Sequence, residues 1–312
     1  MAPYGARSTG VHDSVAAVFP PERLREALED EAPEVVVVGD DSDAITACDA
    51  VVTFAHREAF VGLEWVHSIQ AGYDRFPLER FEANGTRLTN STGIHGASVG
   101  ETVVGYMTML ARRLHQYVRQ GTEKRWNRPA WNEPFTLGGE SLCVVGLGTL
   151  GRGIAERANA LGMDVTGVRR SGEPVEGVDR VYGSEALHEA IADTRFVAVA
   201  TPLTDETEGL IGSEEFAVMR EDALLINVAR GPIVDEEALI DALRTAEIEG
   251  AALDVFETEP LPQDSPLWEM DEVIVTPHAA AYTREYYRDI AAIVEENVAR
   301  IADGKELRNR VV

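Results

Sequence analysis

Residues 144–153 read "VVGLGTLGRG" and place Gly146, Gly148 and Gly151 in Gly-x-Gly-x-x-Gly spacing. The motif directly follows an apolar strand-like run and opens a segment with helical periodicity. In that context the first glycine permits a tight turn, the second lets a pyrophosphate approach the backbone, and the third lets the helix pack on the strand. The helix N-terminus faces the phosphates with its partial positive charge. The stretch therefore predicts a dinucleotide site, and the absence of Gly-Lys-Ser/Thr excludes a nucleotide-triphosphatase loop.

The segments around this motif alternate between strand-like and helix-like patterns. Six apolar runs follow residue 141, with helical stretches between the first five, and they predict a doubly wound sheet. Four shorter runs precede residue 95 and predict a smaller parallel sheet with helices on both faces. The four runs are "EVVVVGD" (34–40), "AVVTFA" (50–55), "EWVHSIQA" (64–71) and "TRLTNST" (86–92).

Two long helices are predicted outside these series. Residues 98–121 form one helix candidate, with Ser98 and Glu101 as a capping box and Gly121 as its end. The amphipathic segment 283–304 is expected to return and pack on the first domain. The Trp-, Pro- and Gly-rich stretch after residue 122 is predicted to be a loop.

The composition indicates a globular protein that functions at high salt. The 312 residues carry 54 acidic and 28 basic side chains, a formal charge of −26, and Lys124 and Lys305 are the only lysines. Such a surface repels itself unless salt screens it, and the Debye length falls to about 3 Å at 1 M. Dispersed acids with arginine in place of lysine resemble proteins of salt-accumulating, haloarchaeal-type cytoplasms. An ordinary acidic enzyme is the alternative.

The same composition restricts location and partners. No apolar run is long enough to span a bilayer, and the N-terminus does not read as a signal peptide, so a cytoplasmic protein is expected. The strong negative charge argues against nucleic acid and anionic membranes as partners. Cys48 and Cys143 lack Cys-x-x-Cys spacing and are expected to be buried and reduced. No metal site is predicted.

Two adjacent arginines, Arg169 and Arg170, end the second strand of the later series, about 20 residues beyond the glycine motif. NAD-binding domains usually carry an acid there that binds the ribose 2′-hydroxyl. A guanidinium can instead bind a 2′-phosphate bidentately. The sequence therefore predicts NADP(H) as the preferred cofactor, with NAD(H) possible. The alternative is that the arginines pair only with local acids such as Glu173 or Glu176.

Three further residues follow late strands, at the edge where open α/β sheets bind ligands: Arg230, Glu259 and His278. Each alone could be a surface or turn residue. Together they suit carbonyl reduction, because hydride addition leaves negative charge on oxygen and requires a proton donor. A carboxylate can orient a histidine and stabilise its positive charge. An arginine can hold a substrate carboxylate in fixed geometry.

The motifs "GLGTLGRGIA", "PLTDETEGLI", "LLINVARGPIVDEEAL", "ALDVFETEPLP" and "VIVTPHAA" resemble the NAD(P)-dependent D-2-hydroxyacid dehydrogenase family. This resemblance covers most of residues 98–283. It implies an NAD(P)-binding Rossmann domain at 99–283 and a smaller, flavodoxin-like, discontinuous substrate (catalytic) domain at 1–98 plus 284–312. Closure of a hinge would exclude water from the active site. The arginine at position 169 departs from the family's usual acid and puts NAD preference in doubt.

The resemblance also assigns roles to individual residues. Arg230 would bind substrate, His278 would be the general acid and base, and Glu259 would support it. The backbone amides of Ala71 and Gly72, in "SIQAGYD", would receive the substrate carboxylate. The residues expected to contact the cofactor are Gly146, Gly148, Thr149, Leu150, Gly151, Arg169, Arg170, Ser171, Thr201, Pro202, Ala229 and Asp254, the last near the nicotinamide carboxamide.

Several questions remain open at the level of sequence. Family members are usually homodimers, and the Trp126–Trp131 loop would contact the second subunit or cap the substrate pocket. Arg152 would touch a phosphate or remain a solvated surface residue. The alternative function is a dinucleotide-sensing, corepressor-like binding protein of the same fold. A formate-type dehydrogenase fits less well, since formate oxidation needs no proton donor. The 2-oxo acid and the physiological direction are not determined.

Overall fold

A computed structural model describes residues 8–29 and 34–312 and divides into two compact units. The first unit runs to Ile94 and resumes at Tyr282–Val312, and the second unit is His95–Ala281. The divisions predicted from the sequence, at 98/99 and 283/284, lie within a few residues of these points. Each unit is described separately.

The first unit is built on a five-stranded sheet in the order β2-β1-β3-β4-β5. All neighbouring strands are parallel, and the order 2-1-3-4-5 is that of flavodoxin-like folds. The run at 34–40 forms the edge strand and leaves Val37 38% exposed. The strands are β1 (Thr9–His12), β2 (Val35–Val38), β3 (Ala50–Thr53), β4 (Trp65–Ser68) and β5 (Arg87–Asn90).

Helices cover both faces of this sheet. The last helix of the chain packs with the first against one face, as predicted, through apolar residues that include Leu24, Leu28, Ile290 and Val294. A separate cluster around Phe60 and Phe81 fills the other face. The helices of this unit are α1 (Pro21–Leu28), α2 (Ser42–Thr46), α3 (Leu78–Ala83) and α10 (Tyr286–Ala302).

The second unit contains a seven-stranded parallel sheet in the order β12-β11-β10-β9-β6-β7-β8. Counted from β6, this is the Rossmann order 3-2-1-4-5-6 with a seventh strand added at one edge. The sequence predicted six of the strands and missed the short edge strand β8. The strands are β6 (Ser141–Val145), β7 (Asp164–Val168), β8 (Arg180–Tyr182), β9 (Phe196–Val199), β10 (Leu224–Asn227), β11 (Gly250–Leu253) and β12 (Val273–Val275).

The helix predicted at 98–121 is two helices, so that prediction was wrong. The backbone breaks at Arg113, whose φ of 55° lies in the left-handed region and ends regular helical hydrogen bonding. Ser98 is not the N-cap, because its hydroxyl donates to the His95 carbonyl from within the first turn. The helices of this unit are α4 (Gly96–Ala111), α5 (Leu114–Thr122), α6 (Thr149–Ala160), α7 (Leu187–Ile191), α8 (Ser213–Val218) and α9 (Glu236–Arg244).

Glycines let α4 pack closely on the helix of the glycine motif. A Cβ at Gly100 would lie 2.4 Å from the Gly153 carbonyl oxygen, and one at Gly153 would lie 2.0 Å from that of Gly96. Real Cβ atoms do not approach backbone so closely, so any side chain at these positions would force the helices apart. The close contact fixes the start of α4 beside the start of α6.

Cys48 and Cys143 are buried and free, which confirms the prediction of reduced cysteines. Burial raises the pKa of the Cys143 thiol to about 12, so it stays protonated. Among the described residues, no helix has the length and apolar character needed to cross a bilayer.

Candidate active site

The glycine motif forms the turn between β6 and α6. Gly146 has a φ of 101°, which side-chain-bearing residues rarely adopt, and a Cβ on Gly151 would lie 1.9 Å from the Gly146 carbonyl oxygen. A Cβ on Gly148 would instead point into open space, with no atom within 4 Å. Gly146 and Gly151 therefore allow the backbone to pack tightly in the turn, while the space beside Gly148 stays open. Since the first amides of a helix lack intrahelical acceptors, the Thr149 end of α6 suits a dinucleotide phosphate.

Arg169 follows β7 directly beside this turn. The Gly146 amide donates to the Val168 carbonyl at 2.9 Å, which fixes the end of β7 against the glycine turn. The Arg169 guanidinium is 29% exposed and lies 3.8 Å from the Glu173 carboxylate. Arg170 is exposed, and Ser171 Oγ lies 3.5 Å from Glu173. The local ion pair considered as an alternative is thus present, but it is long and solvated.

Three other predicted cofactor residues lie at the same edge of the sheet. Thr201 and Pro202 follow β9, and a Cβ on Gly146 would come within 2.7 Å of the Thr201 amide nitrogen. Ala229 follows β10, and its amide donates to Asn227 Oδ1 at 3.1 Å. The parallel strands therefore bring these residues to the edge that carries the glycine turn. Arg152 donates from Nε to the Leu147 carbonyl at 3.3 Å.

Glu259 and His278 form a hydrogen-bonded pair. His278 Nδ1 lies 2.8 Å from Glu259 Oε2, and both side chains are about one-quarter exposed (28% and 27%). A carboxylate can only accept, so Nδ1 carries a proton and Nε2 is the nitrogen that can exchange one with a substrate. The other carboxylate oxygen of Glu259 accepts from the Phe256 amide at 3.3 Å and holds the side chain in place. The backbone φ of His278 is 52°, in the left-handed region.

Asp254 holds the loop that carries His278. It is 2% exposed, and its two carboxylate oxygens accept from the amides of Ala279 (3.0 Å) and Ala280 (2.8 Å). The Thr276 hydroxyl (2.6 Å) and the Tyr106 hydroxyl (3.4 Å) also donate to it. Its predicted contact with the nicotinamide stays a prediction. The role of Tyr106, on α4, gave no signal in the sequence because it depends on a contact across 148 residues.

Arg230 follows β10 and has a buried histidine near it. Its Nη1 donates to the Ala229 carbonyl at 2.8 Å, and Asn227 Nδ2 donates to the Arg230 carbonyl at 3.0 Å. His95, just before α4, is 5% exposed. Burial, and then the positive charge of Arg230, lower the pKa of His95 to about 4. A neutral imidazole thus lies close to the predicted substrate-binding arginine, and the sequence analysis missed it.

Ala71 and Gly72 lie in the first unit, in the loop that follows β4. Both are half-buried, and Asn90 Nδ2 donates to the Ala71 carbonyl at 2.6 Å. The loop therefore leaves the carboxyl edge of its parallel sheet, as the ligand-binding loops of such folds do.

One group of possible metal ligands occurs in the described part of the chain: His12, Asp13 and Asp40. His12 Nδ1 accepts from the Ser14 amide at 3.1 Å, so the proton of the neutral ring is on Nε2, which lies 3.3 Å from Asp40. Asp40 also accepts from Arg57 Nε at 2.5 Å. Because the Ser14 amide occupies His12 Nδ1 and the Arg57 guanidinium binds the Asp40 carboxylate, these residues suit an Arg–Asp ion pair better than a metal ion.

A Rossmann unit whose strand ends carry a glycine turn, an arginine and a Glu–His pair defines a nicotinamide-dependent oxidoreductase acting on carbonyl groups. The family model described as "D-isomer specific 2-hydroxyacid dehydrogenase, NAD binding domain" matches residues 104–280. The chain belongs to the D-isomer specific 2-hydroxyacid dehydrogenase family. It is an oxidoreductase that transfers a hydride between NAD(P)(H) and a 2-oxo acid/2-hydroxy acid pair.

Similar proteins match nearly the whole chain. Glyoxylate/hydroxypyruvate reductase B of Yersinia pestis (strain Pestoides F) is 28% identical over 312 residues, 99% of this chain and 95% of that protein. A D-isomer specific 2-hydroxyacid dehydrogenase from Xanthobacter autotrophicus Py2, solved with NADPH and MES, is 32% identical (TM-score 0.83, 99% and 98% covered). An NADPH-dependent glyoxylate/hydroxypyruvate reductase from Sinorhizobium meliloti, solved with NADP and sulfate, is 26% identical (TM-score 0.82, 97% and 98% covered).

Proposed function

We propose that this protein is a 2-oxoacid reductase that forms D-2-hydroxy acids and prefers NADPH. The observation that carries the proposal is the Glu259–His278 hydrogen bond of 2.8 Å in the Rossmann unit. It supplies an oriented proton donor at the strand edge that also carries the glycine turn. In this proposal the second unit binds the cofactor and the first unit is the substrate domain.

The proposed roles of the residues follow from their chemistry. The bound reduced nicotinamide supplies a hydride to the carbonyl carbon. His278 donates a proton from Nε2 to the carbonyl oxygen, and Glu259 holds Nδ1 and stabilises the positive ring. Arg230 binds the substrate carboxylate, which also accepts hydrogen bonds from the amides of Ala71 and Gly72. In the oxidation direction the same Nε2 accepts the hydroxyl proton.

Small 2-oxo acids are the substrates we propose first, because two similar proteins that span nearly the whole chain, from Yersinia pestis and Sinorhizobium meliloti, are named for glyoxylate and hydroxypyruvate. The test is the loss of NADPH absorbance with glyoxylate, hydroxypyruvate, pyruvate and a branched 2-oxo acid in about 2 M KCl. We expect turnover with the small acids, and oxidation of D- but not L-glycerate in reverse. NADPH binding without turnover of any acid would instead support a dinucleotide-sensing protein.

The preference for NADPH rests on Arg169 and Arg170. Arg169 lies beside the glycine turn and is half-buried, and its partner Glu173 is 72% exposed at 3.8 Å. A 2′-phosphate can take the place of so weakly held a carboxylate, because it offers three strong acceptor oxygens. Dissociation constants for NADPH and NADH test the preference, and equal values would contradict it.

We propose that a second copy of the chain covers α5 and the loop after it. Helix α5 contains no buried residue, Val118 is 67% exposed, and Trp126 and Trp131 are 91% and 94% exposed. Such large apolar side chains in one segment are typical of an interface. Light scattering should show a dimer, and Trp126→Asp with Trp131→Asp should give a monomer. A dimer that persists, with altered substrate KM, would favour the pocket-capping role.

A cytoplasm rich in salt is the proposed setting, as expected for a haloarchaeal-type acidic protein. The formal charge of −26 repels itself at low ionic strength and is screened within about 3 Å at 1 M salt. The melting temperature should therefore rise steeply between about 0.1 M and 2 M KCl. A flat response would identify the chain as an ordinary acidic enzyme.

A further inference from the structure

In the first unit, the loop after β4 has every carbonyl of four consecutive residues held by a donor. Fixed carbonyls fix the peptide planes between them, so the loop has one conformation to present. The donors are Ser91 Oγ to Ser68 (3.1 Å), the Tyr286 hydroxyl to Ile69, the Ser91 amide to Gln70 (3.0 Å) and Asn90 Nδ2 to Ala71 (2.6 Å).

Unlike these carbonyls, the amides at the tip of the loop have no hydrogen-bond partner in the described part of the chain. Within residues 8–29 and 34–312, no acceptor lies in hydrogen-bond geometry to the amide of Ala71 or Gly72. Consecutive amides without an acceptor in a fixed loop are donors that an anion can use. The fixed carbonyls therefore leave these two N–H groups available for a carboxylate.

Beneath the loop, a chain of side-chain hydrogen bonds links β4 to β5. Trp65 Nε1 donates to Thr89 Oγ1 at 2.8 Å, and Thr89 Oγ1 lies 2.8 Å from His67 Nδ1. His67 Nε2 lies 3.0 Å from Ser91 Oγ, and Ser91 donates to the Ser68 carbonyl. All four side chains are buried, with 0–1% exposed. This series of hydrogen bonds therefore ends at the Ser68 carbonyl, the first of the four carbonyls held in the loop after β4.

The groups at the two ends of this hydrogen-bond series, the Ser68 carbonyl and the Trp65 indole, determine the direction of every hydrogen bond between them. The Ser68 carbonyl can only accept, so the Ser91 hydroxyl donates its proton to that carbonyl. Ser91 Oγ must therefore accept from His67 Nε2–H. The neutral ring then has a lone pair on Nδ1, which accepts the Thr89 hydroxyl proton. Thr89 in turn accepts from the indole of Trp65, which can only donate. Each donor and acceptor in the chain is used, with a single tautomer of His67.

A protonated His67 would break this order. Both ring nitrogens would donate, and the Thr89 hydroxyl would accept two bonds and have no partner for its own proton. Full burial also disfavours the charged ring and lowers the pKa of His67 to about 3. The imidazole is therefore a neutral connector with one donor and one acceptor in fixed directions.

We infer that His67 is a positioning residue for the substrate carboxylate: through Ser91 and the Ser68 carbonyl it sets the loop that presents the Ala71 and Gly72 amides. This inference rests on the proposed function, in which those amides bind the 2-oxo acid. His67 does not touch substrate in this proposal, and its effect is confined to the geometry of the loop.

The test compares two substitutions with opposite hydrogen-bonding capacity. His67→Phe removes both ring nitrogens and should raise KM for the 2-oxo acid about tenfold, with KM for NADPH nearly unchanged. His67→Gln retains one acceptor and one donor and should restore most of the substrate affinity. Ser91→Ala cuts only the last link and should raise the same KM severalfold. Val51→Ala, a buried change on β3, controls for general destabilisation and should leave KM unchanged.

A second measurement separates this inference from the proposed function. Hydrogen exchange of peptides spanning 65–74 and 87–93 reports loop order whether or not the protein turns over a 2-oxo acid. His67→Phe should speed exchange of the Ile69 and Ser91 amides, and His67→Gln should do so much less. Loop exchange equal to wild type in the Phe variant would overturn the inference. Wild type without reductase activity would overturn the proposed function alone.

Discussion

Each unit has a histidine at or just after a strand end, and the two histidines differ in burial and in hydrogen-bond partners. His278, after β12, is 28% exposed and hydrogen-bonds a carboxylate. His67, at the end of β4, is fully buried and hydrogen-bonds two hydroxyl groups. The first arrangement suits a ring that gains and loses a proton, and the second suits a ring that never does.

The difference fits the two different tasks that we propose for these side chains. Proton transfer needs access to a substrate and a nearby negative charge that stabilises the imidazolium. Positioning needs fixed hydrogen-bond directions, which a charged ring with two donors would disturb. The neighbours of each ring, and not the histidine itself, therefore decide its role.

The largest effect is expected from removing the exposed histidine. His278→Ala should lower kcat about a thousandfold, because general acid catalysis typically contributes 10²–10⁴-fold. The dissociation constant of NADPH should be nearly unchanged. His188→Ala is the matched control, since His188 pairs with Glu215 at 2.7 Å outside the site. A loss of less than about tenfold in kcat would remove His278 from the proton transfer.

Acid should affect stability through the buried histidines. Burial holds the pKa of His67 at about 3 and that of His95 at about 4, against 6.5 in the unfolded chain. At pH values between the folded and the unfolded pKa, the unfolded state binds more protons than the folded state. The contribution of each neutral histidine to the free energy of unfolding is therefore complete above pH 6.5 and decreases as the pH falls below 6.5. Each group contributes up to about 1.4 kcal/mol per pH unit.

Urea titrations at constant KCl, between about pH 7 and pH 5, measure this dependence. His67→Gln should have a shallower slope than wild type by up to one proton, since glutamine does not titrate. An identical slope would mean that His67 takes up its proton at about the same pH in the folded and the unfolded protein, and the contrast between the two histidines would fail.

A third test concerns the exposed charges at the cofactor edge. Arg169→Asp should lower the NADPH-to-NADH affinity ratio about 30-fold, because it removes a charge-assisted hydrogen bond and introduces a negative charge. Arg220→Ala should leave the ratio unchanged, since Arg220 pairs with Asp222 before β10. Isothermal titration with both cofactors measures the ratio. If Arg169→Asp also leaves it unchanged, the arginine pairs only with local acids.

The smallest effect is expected from the support of the His278 loop. Tyr106→Phe removes one donor to Asp254 and the 2.6 Å contact with Thr276, while three other donors to Asp254 remain. If losing this hydrogen bond weakens stabilisation of the transition state by about 1 kcal/mol, kcat falls about fivefold. Steady-state kinetics should show this, with Tyr117→Phe on α5 unchanged. An unchanged kcat would show that Asp254 holds the loop without help from α4.

The glycine turn and the late strands could be predicted because their signals are local. A Cβ at Gly146 or Gly151 would clash with backbone atoms, so only glycine fits at these two positions. The spacing of the glycines therefore predicts the turn. Glu259 and His278 could be proposed as partners because both follow late strands at the ligand-binding edge, and the structure brings them to 2.8 Å. The strands β1 (TGVH) and β8 (RVY) were missed because neither contains an apolar run.

The break at Arg113 shows a limit of a different kind. The apolar pattern continues through it, so the sequence predicts one helix over 98–121, while the backbone ends α4 at Ala111 and restarts as α5. Helix propensity is a weak preference that tertiary packing overrides. Nothing local distinguishes Arg113 from its neighbour Arg112.

Sequence alone determined the α/β class, the glycine turn, the adjacent arginines at the end of β7 and the strongly acidic composition, because each of these depends on residue type at short spacing. Only the tertiary structure decided which histidine pairs with a carboxylate and which is buried between two hydroxyl groups, how Asp254 fixes the His278 loop, and how four carbonyls fix the loop at Ala71. Those features depend on contacts between residues far apart in the chain, where burial and hydrogen-bond direction are set by packing.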